Sequence, residues 1–231
     1  SGRVNRMNFP TTHPLFGTGP KPHDADVIIS VEAVVPYQPS DGKPRSETKI
    51  VWVDPDPVQS RYKSMEFHAN MWLPVLPATF AQAIYDAATN SLTKSDMSKI
   101  EDRRVRLATK KQELNAAAEA AALNVAKRNP IHPRWLAHEI CAALEPDTIL
   151  IDDVVSAGGY MREYHNRVHP GTYFKSGGSS GGFGSSASFG AKIAKPNTDV
   201  VYATGDGYLM FGSPLAPLWA AAHYKAAFLS V

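Results

Sequence analysis

The 231 residues are 43% hydrophobic and 20% charged, with a formal net charge of +2; this is an ordinary globular composition, with room for one large domain or two small ones. So small a net charge argues against nucleic acid or an anionic membrane as partner, and no apolar run approaches the length that spans a bilayer. The one cysteine, Cys141, excludes an internal disulfide, and the first residues, Ser1-Gly2-Arg3-Val4-Asn5, do not resemble a signal peptide, so a cytoplasmic location is the default expectation.

Two β-branched runs, at 26–31 and 49–54, are bounded by Pro, Gly and Asp and read as buried parallel strands. A Pro/Ser/Asp/Gly loop at 36–47 joins them. A helix is predicted over 78–88, with Phe80, Ala83, Ile84 and Ala87 at helical spacing, which makes half of a Rossmann-like layer. From 95 to 127 charges and then alanines dominate without Gly or Pro, and Ser98 with Glu101 fits a capping box, so a long, largely exposed connecting helix is expected. Its basic residues, Lys94, Lys99, Arg103, Arg104, Arg106, Lys110 and Lys111, are interrupted by Glu101, Asp102 and Glu113 and lack interleaved aromatics, which favours a solvated face over a nucleic-acid stripe.

Asn129-Pro130 closes that helix, and Pro133 stands near the start of the next, predicted over 134–144, with Cys141 as a small core residue on its apolar face. A new domain begins about here. Its strands are predicted at 148–152 and 199–203, with a short helix at 185–194 between them. An apolar helix follows at 209–224, whose Phe211 and Trp219 should pack on the sheet. The segment 226–231 reads as one more strand, expected to lack a sheet neighbour; the activity is therefore expected of a longer polypeptide.

The chemistry is concentrated in the last third, where ten of the 16 glycines fall between Gly171 and Gly212. Gly205-Asp206-Gly207 follows the second of those strands, so Asp206 would sit at the carboxyl end of a strand, where open α/β sheets bind ligands. Alone, the tripeptide is an ordinary tight turn. Its context adds to it: a hard cation such as Mg²⁺ takes carboxylate oxygens and is commonly shared with phosphate, and the loop Ser176-Gly177-Gly178-Ser179-Ser180-Gly181-Gly182-Phe183-Gly184 offers N–H groups and hydroxyls ahead of a helix. Asp206 reads as the only acidic side chain at a strand end in this region. The eight histidines, among them His13, His132 and His169 before prolines and His138 on a helix, show no metal-ligand spacing, so surface or supporting roles are expected for all.

Gly205-Asp206-Gly207, preceded by a strand and a Ser-Gly-Gly loop and followed by an apolar helix and a strand, resembles the thiamin-diphosphate-binding motif of the acetolactate synthase and benzoylformate decarboxylase superfamily. That motif closes on one or two asparagines, expected just where the chain stops, 24 residues past Gly207. In the front half, His13-Pro14-Leu15-Phe16, Ala25-Asp26-Val27-Ile28, Pro36 with its loop, and Val53-Asp54-Pro55-Asp56-Pro57-Val58 resemble the central domain of acetolactate synthase-like proteins.

The resemblance implies an α/β fold of Rossmann-like parallel sheets flanked by helices, a partial thiamin-diphosphate-binding fold. Residues 1–95 would be the later part of the central domain, 96–130 the connecting helix, and 131–231 a diphosphate-binding domain truncated at its C-terminus. It also implies thiamin diphosphate and Mg²⁺ as cofactors, with Asp206 as metal ligand and Ser156, Gly178, Ser179, Ser180, Gly181, Gly205, Gly207, Tyr208 and Leu209 around the cofactor. The activity implied is that of a transferase or lyase, such as a decarboxylase, acting next to the 2-oxo group of a small acid in a dimer or tetramer. FAD belongs to the acetolactate synthase branch, but no Gly-x-Gly-x-x-Gly supports it here. The family's catalytic glutamate lies in a pyrimidine-binding domain outside this chain, so the chain alone is expected to be inactive.

Two departures stand against the pattern. Val155-Ser156-Ala157 replaces the Gly-Gln-His run of several relatives, and Ser180-Gly181 stands where relatives place a bulky residue that holds the cofactor bent. They leave open a second reading, a non-catalytic module that binds a diphosphate or nucleotide and has lost the reaction.

Overall fold

The computed structural model describes residues 5–6, 10–33, 42–56, 67–166, 168–175 and 181–231. The chain divides into two compact units: Thr18–Leu107, and the segment up to Gly17 joined with Ala108–Val231.

The first unit holds a parallel three-stranded sheet. Strands β2 (Val27–Val31), β3 (Lys49–Val53) and β4 (Met71–Leu73) pair in that order, with Ile28 opposite Ile50 and Trp52 opposite Trp72. Trp52 is buried and stacks on Trp72 with ring centroids 5.4 Å apart. The expectation of two buried strands holds for β3 and fails for β2. There Val27, Ile29 and Val31 are exposed, because β2 is an edge strand and no described residue covers that face. Helix α1 (Pro77–Ser91) forms where its spacing predicts, with Pro77 at its first position, yet none of its residues is buried.

Helix α2 (Lys94–Leu123) begins with a reciprocal cap. Thr93 Oγ1 accepts from Asp96 N at 3.2 Å, and Asp96 Oδ2 accepts from Thr93 N at 3.0 Å. The predicted Ser98–Glu101 box does not form, because the helix has already started; Glu101 instead accepts from Arg104 at 2.6 and 2.8 Å. The basic side chains of α2 are exposed, as a solvated face requires, except for the half-buried Lys111, whose ammonium lies 5.0 Å over the Phe16 ring. Burial there lowers the Lys111 pKa.

The second unit is a three-layer α/β domain. Strands β1 (Asn5–Arg6), β6 (Tyr173–Lys175), β5 (Ile149–Asp153), β7 (Val200–Thr204) and β8 (Leu229–Ser230) lie side by side in that order, parallel except for β1. Alternation along the strands sorts the core into two faces. Leu150, Tyr173, Val201 and Ala203 pack with Ala137 and Cys141 of α3 (Pro133–Ala143) and Met161 of α4 (Gly158–Tyr164). Ile149, Ile151, Val200 and Tyr202 pack with Ala187 and Ala191 of α5 (Gly184–Ala194). His132 caps α3, its Nδ1 accepting from Arg134 N at 3.1 Å.

Four expectations change here. The helix at 209–224 is two, α6 (Asp206–Phe211) and α7 (Leu215–His223), since Gly212, Ser213 at φ +50° and Pro214 break the helical path. Phe211 is 77% and Trp219 66% exposed, so neither packs on the sheet as expected. The last strand does have a neighbour: Val231 N donates to Tyr202 O and Thr204 N to Val231 O, both at 2.9 Å. The surface-or-supporting expectation for the histidines narrows at His165, which is buried with its ring stacked on Tyr173 at 4.3 Å and so is not a surface residue.

Candidate ligand site at the carboxyl ends of the strands

The site is built by the ends of β5 and β7. After the buried strand β7, Gly205 is extended (φ −98°, ψ 159°) and Asp206 opens α6, where a carboxylate is favoured by the helix dipole. Leu209 N donates to Gly205 O at 2.9 Å and closes the first turn. The Asp206 side chain is exposed, and a Cβ added at Gly205 or Gly207 would meet nothing within 4 Å. Beyond β5 the chain runs through Val154 and Val155 to the exposed Ser156. Between these two turns lies a cavity of about 390 Å³ that brings together Ser156, Gly205, Asp206, Gly207 and Tyr208. Its apolar wall includes Leu136 and Ile140 of α3 and Met161 of α4.

Leu209 and Gly181 are not in the lining of this cavity. Leu209 packs into the core beside Ile149, Ile151, Val200 and Tyr202. Gly181 is buried with no room for a Cβ against the Tyr208 ring. Gly178, Ser179 and Ser180 lie outside the described residues. Phe183, the bulky side chain that follows, packs beside the same core cluster.

Asp206 is not the only acidic side chain at this edge. Asp152 and Asp153 end β5, both buried, and adjacency on a strand points them to opposite faces. Asp152 Oδ2 accepts from Tyr173 Oη at 2.6 Å and Lys175 Nζ at 2.9 Å, which neutralises its charge. Burial, with Asp152 beside it, pushes the Tyr173 phenol far up, so it serves as a hydrogen-bond donor throughout the working pH range. Asp153 Oδ2 accepts from Gly182 N at 2.8 Å and Gly184 N at 3.1 Å, while its buried Oδ1 has no partner among the described residues. These loop amides were expected to face a phosphate, and a carboxylate occupies them instead. Sequence reasoning missed this pair because parallel pairing brings together groups 29 and 31 positions apart. Among the described residues no cluster of three His, Cys, Asp or Glu is placed to hold a metal, so Asp206 stands alone as candidate ligand.

The strands end in a crevice flanked by a Gly-Asp-Gly turn, which is where open α/β sheets bind ligands. Residues 153–231 match the family described as thiamine pyrophosphate enzyme, C-terminal TPP binding domain. The chain is 34% identical over 87 residues to a protein of Methanococcus aeolicus assigned as an acetolactate synthase large subunit, covering 35% of this chain and 14% of that protein. It is 30% identical over 96 residues to a benzoylformate decarboxylase of Pseudomonas aeruginosa, covering 42% of this chain and 18% of that protein. Among solved structures, a thiamine diphosphate-dependent 4-hydroxybenzoylformate decarboxylase of Rhodococcus jostii superposes with a TM-score of 0.59 at 18% identity, over 97% of this chain and 41% of that one. A Mycobacterium smegmatis protein assigned as a thiamin diphosphate-dependent enzyme gives 0.63, again at 18% identity, over 97% and 42%. The chain thus spans less than half of each of these relatives. Residues 153–231 match the C-terminal TPP-binding region of the thiamine-diphosphate-dependent enzyme superfamily. No helix among the described residues is long and apolar enough to cross a membrane.

Proposed function

We propose that this chain holds the diphosphate end of thiamin diphosphate through Mg²⁺, as part of a protein that cleaves or joins a carbon–carbon bond next to a 2-oxo group. The observation that carries the proposal is the cavity in which the exposed Asp206 carboxylate, the open backbone of Gly205 and Gly207, and Ser156 come together. These residues fit the group: a hard oxygen donor suits Mg²⁺, and glycines without neighbours leave space for a diphosphate to approach the backbone. Asp206 would be the metal ligand, with Ser156, Gly205, Gly207 and Tyr208 lining the diphosphate. Gly178, Ser179 and Ser180 complete the proposed surroundings on the strength of the resemblance, while Gly181 and Leu209 support the site from behind Tyr208 and from the core. When bound, thiamin diphosphate supplies a nucleophilic carbon and an electron sink for bonds next to a carbonyl. The chain's own part is to bind and orient. Asp206 fixes a cation at the strand end, and the wall formed by Leu136, Ile140 and Met161 keeps water from one side of the cavity.

The matches to an acetolactate synthase large subunit and to a benzoylformate decarboxylase support a small 2-oxo acid as substrate and a transferase or lyase as reaction class. The division into a later central domain (1–95), a connecting helix (96–130) and a diphosphate-binding domain (131–231), a homo-oligomeric assembly, and a cytoplasmic location belong to the same reading. Calorimetry with thiamin diphosphate tests it: binding should require Mg²⁺ and disappear in Asp206→Ala at unchanged circular dichroism. Equal affinity in the variant would overturn the assignment of Asp206. Carbon dioxide release from pyruvate or benzoylformate by the whole protein tests the reaction class.

A further inference from the structure

Asp153 stands where a strand of this kind ordinarily places an apolar side chain. It follows Ile149 and Ile151 on the α5 face of the sheet, is 2% exposed, and does not line the cavity. A carboxylate so placed is costly unless it is hydrogen-bonded, and charge-assisted bonds to backbone amides are strong enough to offset that cost. Gly182 N and Gly184 N supply them, with the Tyr202 hydroxyl at a longer 3.4 Å. Burial pushes the Tyr202 pKa up, so its hydroxyl stays neutral beside Asp153, with Thr204 Oγ1 the nearer acceptor at 2.9 Å.

The turn held in this way touches the site from behind. Gly182 adopts φ +91°, open to glycine and strained for other residues, and a Cβ there would come within 2.7 Å of Gly212 Cα, at the end of α6. Gly181 presses on the ring of Tyr208, in the middle of α6. A Cβ at Gly184 would run into the Tyr202 ring. Asp153, the 181–184 turn and α6 therefore form one continuous contact that ends at the helix whose first residue is Asp206.

We propose that Asp153 is a positioning residue: by accepting from Gly182 N and Gly184 N it fixes the 181–184 turn, and through Gly182 against Gly212 and Gly181 against Tyr208 it fixes where α6 presents Asp206. The inference rests on the functional reading above for its ligand and on the geometry alone for its mechanics. One consequence is that the first amide of α5 is committed to Asp153, so a diphosphate is received on the side of Ser156 and Gly205–Gly207.

The test uses the 231-residue chain with three variants, Asp153→Ala, Asp153→Asn and Gly212→Ala. Amide exchange at Gly182 and Gly184 and the Tyr208 ring signals are followed by NMR without ligand, and affinity for thiamin diphosphate with Mg²⁺ is measured by calorimetry. In Asp153→Ala exchange at both glycines should speed up by roughly tenfold or more, the scale of a lost charge-assisted bond. The Tyr208 signals should shift and affinity should fall by a similar factor, whereas Asp153→Asn, which keeps an acceptor oxygen, restores much of each. Gly212→Ala pushes on Gly182 from the other side and should shift Tyr208 and weaken binding with Asp153 intact; it decides the matter if Asp153→Ala fails to fold. Wild-type exchange at both glycines in Asp153→Ala overturns the proposal. So do faster exchange with unmoved Tyr208 signals, and unchanged Tyr208 signals in Gly212→Ala. A wild-type chain with no affinity for the probe defeats the functional reading instead, and the exchange and Tyr208 data still decide the role of Asp153.

Discussion

Strands β3 and β5 are both five residues long, centred on β-branched or aliphatic residues and flanked by parallel neighbours, but their sheets end in different surroundings. In the five-stranded sheet α3 and α4 cover one face and α5 the other, and β5 is buried at every position. In the three-stranded sheet Trp52 and Val53 are buried while the neighbouring β2 shows Val27, Ile29 and Val31 to the outside. β-Branched composition thus reports a pleated, packable surface rather than its burial, and burial depends on what the chain lays over each face. The polar ends differ as well. Among the described residues only the doubly covered sheet buries carboxylates at its carboxyl edge, and each is held by donors from other elements.

Truncation in the covered sheet should have the largest effect. Leu150→Ala, at the centre of the core, should cost about 2–5 kcal/mol in urea unfolding; a loss below about 1 kcal/mol would mean that the two faces are not closed as described. Removing a buried charge partner comes next. Lys175→Met leaves Asp152 with the neutral donors Tyr173 Oη and, at 3.3 Å, Val154 N, and because Lys175 is itself 33% exposed the cost should be about 2 kcal/mol, less than the ~3–5 of a fully buried pair.

A smaller, pH-dependent effect is expected where α2 meets α3. Burial pulls the His138 pKa down, but the hydrogen bonds to Glu139 at 2.9 Å and Glu119 at 3.0 Å outweigh it, and the net shift is upward. A raised folded-state pKa stabilises fully below the unfolded value near 6.5, and that contribution is lost as pH rises through the folded value. Wild type should therefore lose stability relative to His138→Gln as pH increases from 6 to 8, and a flat difference would contradict the pairing. The smallest effect belongs to the open face, where Ile29→Ala should change stability by about 0.5 kcal/mol or less. A loss comparable with Leu150→Ala would show that the face is covered after all.

The elements legible in the sequence were those whose signal is local. The runs around Ile50 and Ile149, the periodic apolar positions of α1 and the local signals of α3 and α5 gave strands and helices within one to three residues of their places. What escaped was short or depended on partners. β4 and β6 have three residues each, α4 opens on Gly158-Gly159, and the reciprocal cap of α2 sits at Thr93–Asp96, one turn before the pair that looked suitable. The break between α6 and α7 did carry a signal, Gly212-Ser213-Pro214, that the continuous apolar run masked. At the candidate site, Gly205-Asp206-Gly207 was legible because a glycine-flanked turn after a buried strand is a local pattern. Asp153 was not, since two aspartates at a strand end look like a stop signal until pairing brings Gly182 and Gly184 to them.

The central claim is that Asp206 and the strand-end cavity hold a cation together with a diphosphate. Mn²⁺ in place of Mg²⁺ tests it most directly, because its paramagnetism broadens NMR signals according to distance. With thiamin diphosphate present, broadening should centre on the amides of Gly205, Asp206 and Gly207, reach Ser156, and vanish in Asp206→Ala. Broadening centred on Glu119 and Glu139, or persisting unchanged in Asp206→Ala, would contradict it.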